Sequence, residues 1–110
     1  MSKLILNEEL PLDLREALER DAAEDDITIN DAATRVLAKN YEVKWEPSGF
    51  RYRPVAARFK LRVPTVLHRE IRMDAANRLA TVRGVVLSVL AEHYGAVSID
   101  PHRRSRKEVA

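Results

Sequence analysis

The chain has no cysteine. That excludes a disulfide framework and a thiolate metal site, and it suits a reducing compartment. Only three of its 110 residues are glycine, too few for glycine-rich phosphate loops or mobile catalytic lids. Aromatic residues number six, and no apolar run approaches the length of a membrane span. The first residues lack a signal-peptide pattern, so the sequence predicts a cytoplasmic protein that does not enter the membrane. His68, His93 and His102 have no metal-ligand spacing with one another or with carboxylates. No nucleophile motif or paired-carboxylate pattern occurs, so the expectation is no enzyme, no metal and no cofactor.

What the chain does contain is an internal repeat. Residues 11–41 align without a gap on residues 64–94, at an offset of 53. Identical pairs include Pro11/Pro64, Leu14/Leu67, Asp21/Asp74, Thr28/Thr81, Val36/Val89, Leu37/Leu90 and Tyr41/Tyr94. Apolar character is kept at Leu10/Val63, Leu18/Ile71, Ile29/Val82 and Ala33/Val86. Two copies are too few for a solenoid. One copy of about 45 residues is also near the size at which a core fails alone. The two are therefore expected to share one core in a single compact domain. Their charges differ: residues 1–42 carry 5 basic and 11 acidic side chains, residues 43–110 carry 14 and 6, for nets of −6 and +8. Such asymmetry suggests a polyanion partner for the second half, or mutual attraction of the halves, and the two are compatible.

Each copy reads as strand, helix, helix. The first strand is expected over 3–7, with a possible extension to 10, and the second over 58–63. In the second, Phe59, Leu61 and Val63 alternate with Arg58, Lys60 and Arg62, the period of a half-buried strand. Proline closes each strand and opens a helix. The first helices carry Leu14, Leu18 and Ala22, and Leu67, Ile71 and Ala75, at helical spacing. Breaks follow at residues 24–26 and 77–78. Thr28 and Thr81 then suit the N-caps of the second helices, and Gly95 suits a helix stop. Residues 42–57 join the copies. There Val43 and Trp45, then Phe50 and Tyr52, alternate with polar residues around Pro47-Ser48-Gly49, which predicts a small hairpin. The charged end, 100–110, is expected to be a disordered basic tail.

A lone strand cannot satisfy its backbone groups, so the two strands are expected to pair as an antiparallel ribbon. The predicted fold is thus mainly α with a two-stranded antiparallel β-ribbon, four helices packing behind it. Phe59, Leu61, Val63, Leu4 and Leu6 should face the helices. Arg58, Lys60, Arg62, Ile5, Asn7 and Glu9 should face out. A two-stranded ribbon fits the major groove of DNA, where Arg and Lys donate to guanine. Glu8 then falls on the inner face, where a lone carboxylate is costly, so the strand must be shorter or twist there.

The order strand, proline, helix, short turn, threonine, helix resembles the ribbon-helix-helix DNA-binding proteins of the Arc and MetJ type, which read DNA with a β-ribbon. The likeness covers residues 3–41 and 58–95. A fused tandem pair is similar to the duplicated domains of relaxosome accessory proteins, and implies a monomer acting as a pseudo-dimer, with side-by-side binding on adjacent sites open to it. The resemblance implies base reading by Arg58, Lys60 and Arg62, and in the first copy by Ile5, Asn7 and Glu9. It also implies phosphate contacts at the starts of the second helices, through Thr81, Val82 and Arg83 and through Thr28, Ile29 and Asn30. Arg51 and Arg53 either touch phosphates or solvate the hairpin. The implied function is a sequence-specific transcriptional regulator, a repressor occupying double-stranded DNA in the nucleoid, with unequal contributions from the two copies. The alternative is an antitoxin or relaxosome-type accessory protein whose acidic first copy also binds a protein partner.

Overall fold

The computed structural model describes residues 2–54 and 58–95. The elements run β1 (Ser2–Glu8), α1 (Leu12–Asp25), α2 (Ile29–Tyr41), β2 (Phe59–Pro64), α3 (Thr65–Arg78) and α4 (Val82–Tyr94). The chain is therefore mainly helical, with a two-stranded antiparallel sheet made by β1 and β2. Strand, helix and helix follow one another twice. The basic tail expected over 100–110 lies outside the described residues.

Local chemistry sets the boundaries. Pro11 and Pro64 sit at the N-caps of α1 and α3 with nearly equal angles, φ −53° and ψ 143° against φ −57° and ψ 150°. Proline cannot extend the ladder but suits a helix entry. Thr28 and Thr81 cap α2 and α4: their hydroxyls accept from the amides of Asp31 and Gly84, each at 2.9 Å. All four helices end in a left-handed residue, at Asp26, Glu42, Leu79 and Gly95. After the first three helices the following residue closes the turn, as where the Ile27 amide donates to the Ala22 carbonyl at 3.0 Å and the Ala80 amide to the Ala75 carbonyl at 2.8 Å. Glycine meets that conformation at low cost, whereas Leu79 adopts it at φ 56°.

The core is one cluster drawn from both repeats. Leu14, Leu18, Leu37, Leu61, Leu67, Ile71, Leu90, Val63, Val85 and Val86 are fully buried. β2 of the second repeat packs on α2 of the first, while β1 packs on α3 and α4 of the second. Neither repeat could close its core alone. Two hydrogen bonds repeat this exchange: the Tyr41 hydroxyl donates to Asp74 Oδ2 and the Tyr94 hydroxyl to Asp21 Oδ2, both at 2.5 Å. All four residues belong to identical pairs of the repeat, which gives those identities a physical reason.

Two expectations are corrected. Among the described residues of the linker, 42–54, no hairpin forms. Val43, Trp45 and Tyr52 instead pack half-buried against the core, and the segment is strapped to the first repeat by polar bonds. The Ser48 amide and hydroxyl donate to Asp31 Oδ2 at 3.0 and 2.8 Å, and the Tyr52 amide donates to Asp26 Oδ1 at 3.3 Å. Two carboxylates at the α1–α2 turn thus take the donors that a second strand would have used. The second correction concerns β1. Leu4 lies opposite Arg62, and Leu6 lies opposite Leu61, so Ile5 is an extra residue in the ladder. That bulge reverses the alternation. Ile5 tucks half-buried against the core, and Leu4, expected inside, is 39% exposed.

Candidate nucleic-acid interface

β2 alternates without interruption. Phe59, Leu61 and Val63 are buried, while Lys60 and Arg62 are exposed, as is Arg58 one residue ahead of the strand. Directly opposed residues of an antiparallel pair share a face. The exposed face therefore carries Leu4 with Arg62 and Asn7 with Lys60. Arg58 joins them by donating from Nη2 to the Asn7 carbonyl at 2.7 Å and from Nε to Asn7 Oδ1 at 3.3 Å. Of the three outward residues expected from the first strand, Asn7 is on this face and Ile5 is not. Glu9 is exposed but lies beyond the end of β1. The face within the described ribbon holds three cations and no carboxylate.

Each edge of the ribbon is pinned to the start of a helix. On the β2 side, Asn30 in the first turn of α2 turns its amide to the backbone of Arg62. Its Oδ1 accepts from the Arg62 amide at 2.7 Å, and its Nδ2 donates to the Arg62 carbonyl at 3.0 Å. The side chain completes the open edge of β2 as a third strand would. Asn30 was expected as a phosphate contact through the backbone at the start of α2; its side chain is engaged here with the strand. On the β1 side, Arg83 in the first turn of α4 donates from Nε to Glu8 Oε1 at 2.5 Å. This pair answers the question of the inward carboxylate. Glu8 sits opposite Phe59 with its side chain 22% exposed, and the guanidinium compensates its charge. Glu8 Oε2 is buried with no hydrogen-bond partner among the described residues.

The two helix starts differ in their surroundings. At α2, Thr28 is half-buried and Ile29 buried; Asp31 is buried too and holds the linker through Ser48. At α4, Thr81 and Arg83 are exposed and Val82 half-buried, with Gly84 in place of the carboxylate. Arg51 donates from Nε to Asp26 Oδ2 at 2.7 Å, so it anchors the linker rather than solvating a hairpin. That bond, with the Tyr52 amide, holds the Asp26 carboxyl below its ordinary value. Arg53 is exposed. Near the other end of β1, burial and then the charges of Arg72 and Lys3 push His68 below its ordinary value.

Sequence reasoning missed three features here. Leu4 was hidden by the bulge, for which the sequence carries no glycine or proline signal. The side-chain role of Asn30 needs the strand of the other repeat beside it. The Glu8–Arg83 pair was foreshadowed only by a carboxylate at an apolar position. Elsewhere, a cleft of about 400 Å³ between α2 and α4 is lined by Val36, Lys39, Asn40, Val89, Glu92 and His93. The ring of His93 stands edge-on to Tyr94 at 4.7 Å, a packing role. Among the described residues no group of histidines and carboxylates could hold a metal ion, and no helix is long and apolar enough to cross a membrane. Comparison with models of known protein families, with curated proteins and with solved structures finds no match.

Proposed function

We propose that this chain is a sequence-specific double-stranded DNA-binding regulator of the ribbon-helix-helix kind, acting as a repressor by occupying its site. One observation carries the reading: a ribbon completed within one chain turns Arg58, Lys60 and Arg62 away from the core, between two helix starts pinned to its edges. A two-stranded ribbon matches the width of the major groove, and Arg and Lys there donate to guanine O6 and N7. Helix starts bind phosphate through free N–H groups and the dipole, and so set the register of the ribbon in the groove. The cationic face steers the encounter.

The two copies contribute unequally in this reading. The second supplies all three cations of the face and the more open helix start. The first supplies Asn7 and Leu4, and its helix start has Asp31 and the linker beside it. A fused pair can read a non-palindromic site, which a symmetric homodimer cannot. The monomer then serves as its own pseudo-dimer. The alternative of an accessory factor with a protein partner draws on Asp13, Glu16 and Glu24, which leave the outer side of α1 exposed and acidic. Co-purification from the native host separates the two.

The direct test replaces Arg58, Lys60 and Arg62 by Ala and measures affinity for a duplex selected from a random library. Each good bidentate contact contributes about 1–3 kcal/mol, so the triple variant should lose at least a hundred-fold, roughly two such contacts. Affinity of the parent should also fall steeply with salt. Unchanged affinity in the triple variant would refute the proposal.

A further inference from the structure

We infer that Leu4 reads the 5-methyl group of a thymine, so that the recognised duplex is asymmetric, with thymine beneath the start of β1 and guanine beneath β2. The inference rests on the DNA-binding reading and adds to it a residue that the sequence pattern assigned to the core. Leu4 is a large apolar side chain, 39% exposed, on the face that carries Arg62 and Lys60. It is there because of one local irregularity. Ile5 occupies the bulge and packs inward, so the face turns over between Leu4 and Leu6. Without the bulge Leu4 would be buried beside Leu6 and Ile5 would face out.

Chemistry narrows what such a residue can recognise. Leucine has no donor or acceptor. In the major groove only thymine offers an apolar group, its 5-methyl. Against guanine, adenine or cytosine the leucine would cover polar edges without satisfying them, which is unfavourable. Geometry then relates Leu4 to the cations. Opposed residues have Cβ atoms about 5 Å apart, so Leu4 lies close to Arg62. The next exposed row, Asn7 with Lys60, is two residues along β2, or about 7 Å. At about 3.4 Å per base pair that is two steps. One row thus pairs an apolar reader with a guanidinium, and the next pairs an amide with an ammonium. The corresponding rows of a symmetric ribbon would repeat one another.

The test uses the full chain and a duplex selected from a random library. Each thymine of the selected site is replaced in turn by deoxyuridine, which removes only the methyl group, and affinity is measured for the parent and for Leu4→Ala. One replacement, within two base pairs of a guanine whose change is felt through Arg62→Ala, should weaken the parent by about four-fold, the effect of losing one buried carbon. It should leave Leu4→Ala unaffected. Leu4→Asn, a polar residue at the same exposed position, should also lose the response and shift selection away from thymine there. If the parent binds tightly, depends on Arg62, and is indifferent to every deoxyuridine, the inference fails and the DNA reading stands. An equal response in Leu4→Ala also overturns it, because another group then reads the methyl. If no duplex is enriched at all, both fail.

Discussion

The reciprocal tyrosine–aspartate bonds offer a quantitative test of how the two repeats are joined. Tyr41 and Asp74 come from different copies, as do Tyr94 and Asp21. A hydroxyl bonded to a charged carboxylate contributes about 1.5–3 kcal/mol, and the partial exposure of Asp74 places it near the lower limit. Tyr41→Phe keeps the ring and removes only the hydroxyl, and Arg78 still reaches Asp74 Oδ1 at 3.0 Å. It should therefore cost about 1.5 kcal/mol, and Tyr94→Phe a similar amount. In urea each variant should lower the unfolding midpoint by roughly 1 M, for a slope near the low end of the usual range. Acid adds a second readout. Burial alone would raise the Asp74 carboxyl, but bonds from Tyr41 and Arg78 outweigh it and hold the group below 3.8. A depressed carboxylate adds stability that is fully present above its unfolded value and lost as pH falls below it. The parent should lose stability below about pH 4 more steeply than Tyr41→Phe, since the variant has given up part of that depression. Base acts at the other limit. Burial, then the aspartate partner, raises both phenols above 10.0, so Tyr41 and Tyr94 should resist ionisation in an ultraviolet titration through pH 11. If Tyr41→Phe costs under about 0.5 kcal/mol and the acid limbs coincide, this bond contributes nothing to joining the repeats.

Two further predictions follow from single residues. Glu8→Gln removes a negative charge beside the start of α4 and releases Arg83; duplex affinity should rise, and the salt dependence should steepen by about one phosphate's worth, a slope change near 0.9. An unchanged slope in a fluorescence titration would show that Arg83 stays away from the duplex. Leu79→Gly relieves a left-handed leucine that is 87% exposed, and should stabilise the fold by about 0.5–1 kcal/mol in urea unfolding, whereas Leu79→Ala should give no comparable gain.

Much of this architecture was legible from periodicity and punctuation. Prolines at 11 and 64 and threonines at 28 and 81 mark helix starts because their chemistry acts locally, the prolines through a fixed φ and the threonines on amides three residues away. The alternation of β2 was read correctly since burial on one face imposes period two. β1 was harder. Its run Leu4-Ile5-Leu6 is apolar throughout, so no alternation states which residue faces the helices, and the bulge is decided by tertiary fit. The linker failed for a similar reason. Its alternation is real, but the donors of Ser48 and Tyr52 meet Asp31 and Asp26, which are adjacent only after folding. The charges behaved likewise: the imbalance between halves is visible in composition, whereas the pairing of Arg83 with Glu8 spans 75 residues.

The connection between the copies has a further consequence. Since β1 and β2 reach each other through residues 42–57 of the same polypeptide, the two-stranded sheet needs no second molecule to form. A ribbon assembled from separate subunits comes apart on dilution, and its melting temperature depends on how much protein is present. Here the partner strand is always at hand at the high local concentration a short tether provides. The ribbon therefore persists at a few molecules per cell, and under the proposed DNA-binding reading occupancy of a duplex should follow a simple hyperbola rather than the steeper curve of a subunit that must first find its mate.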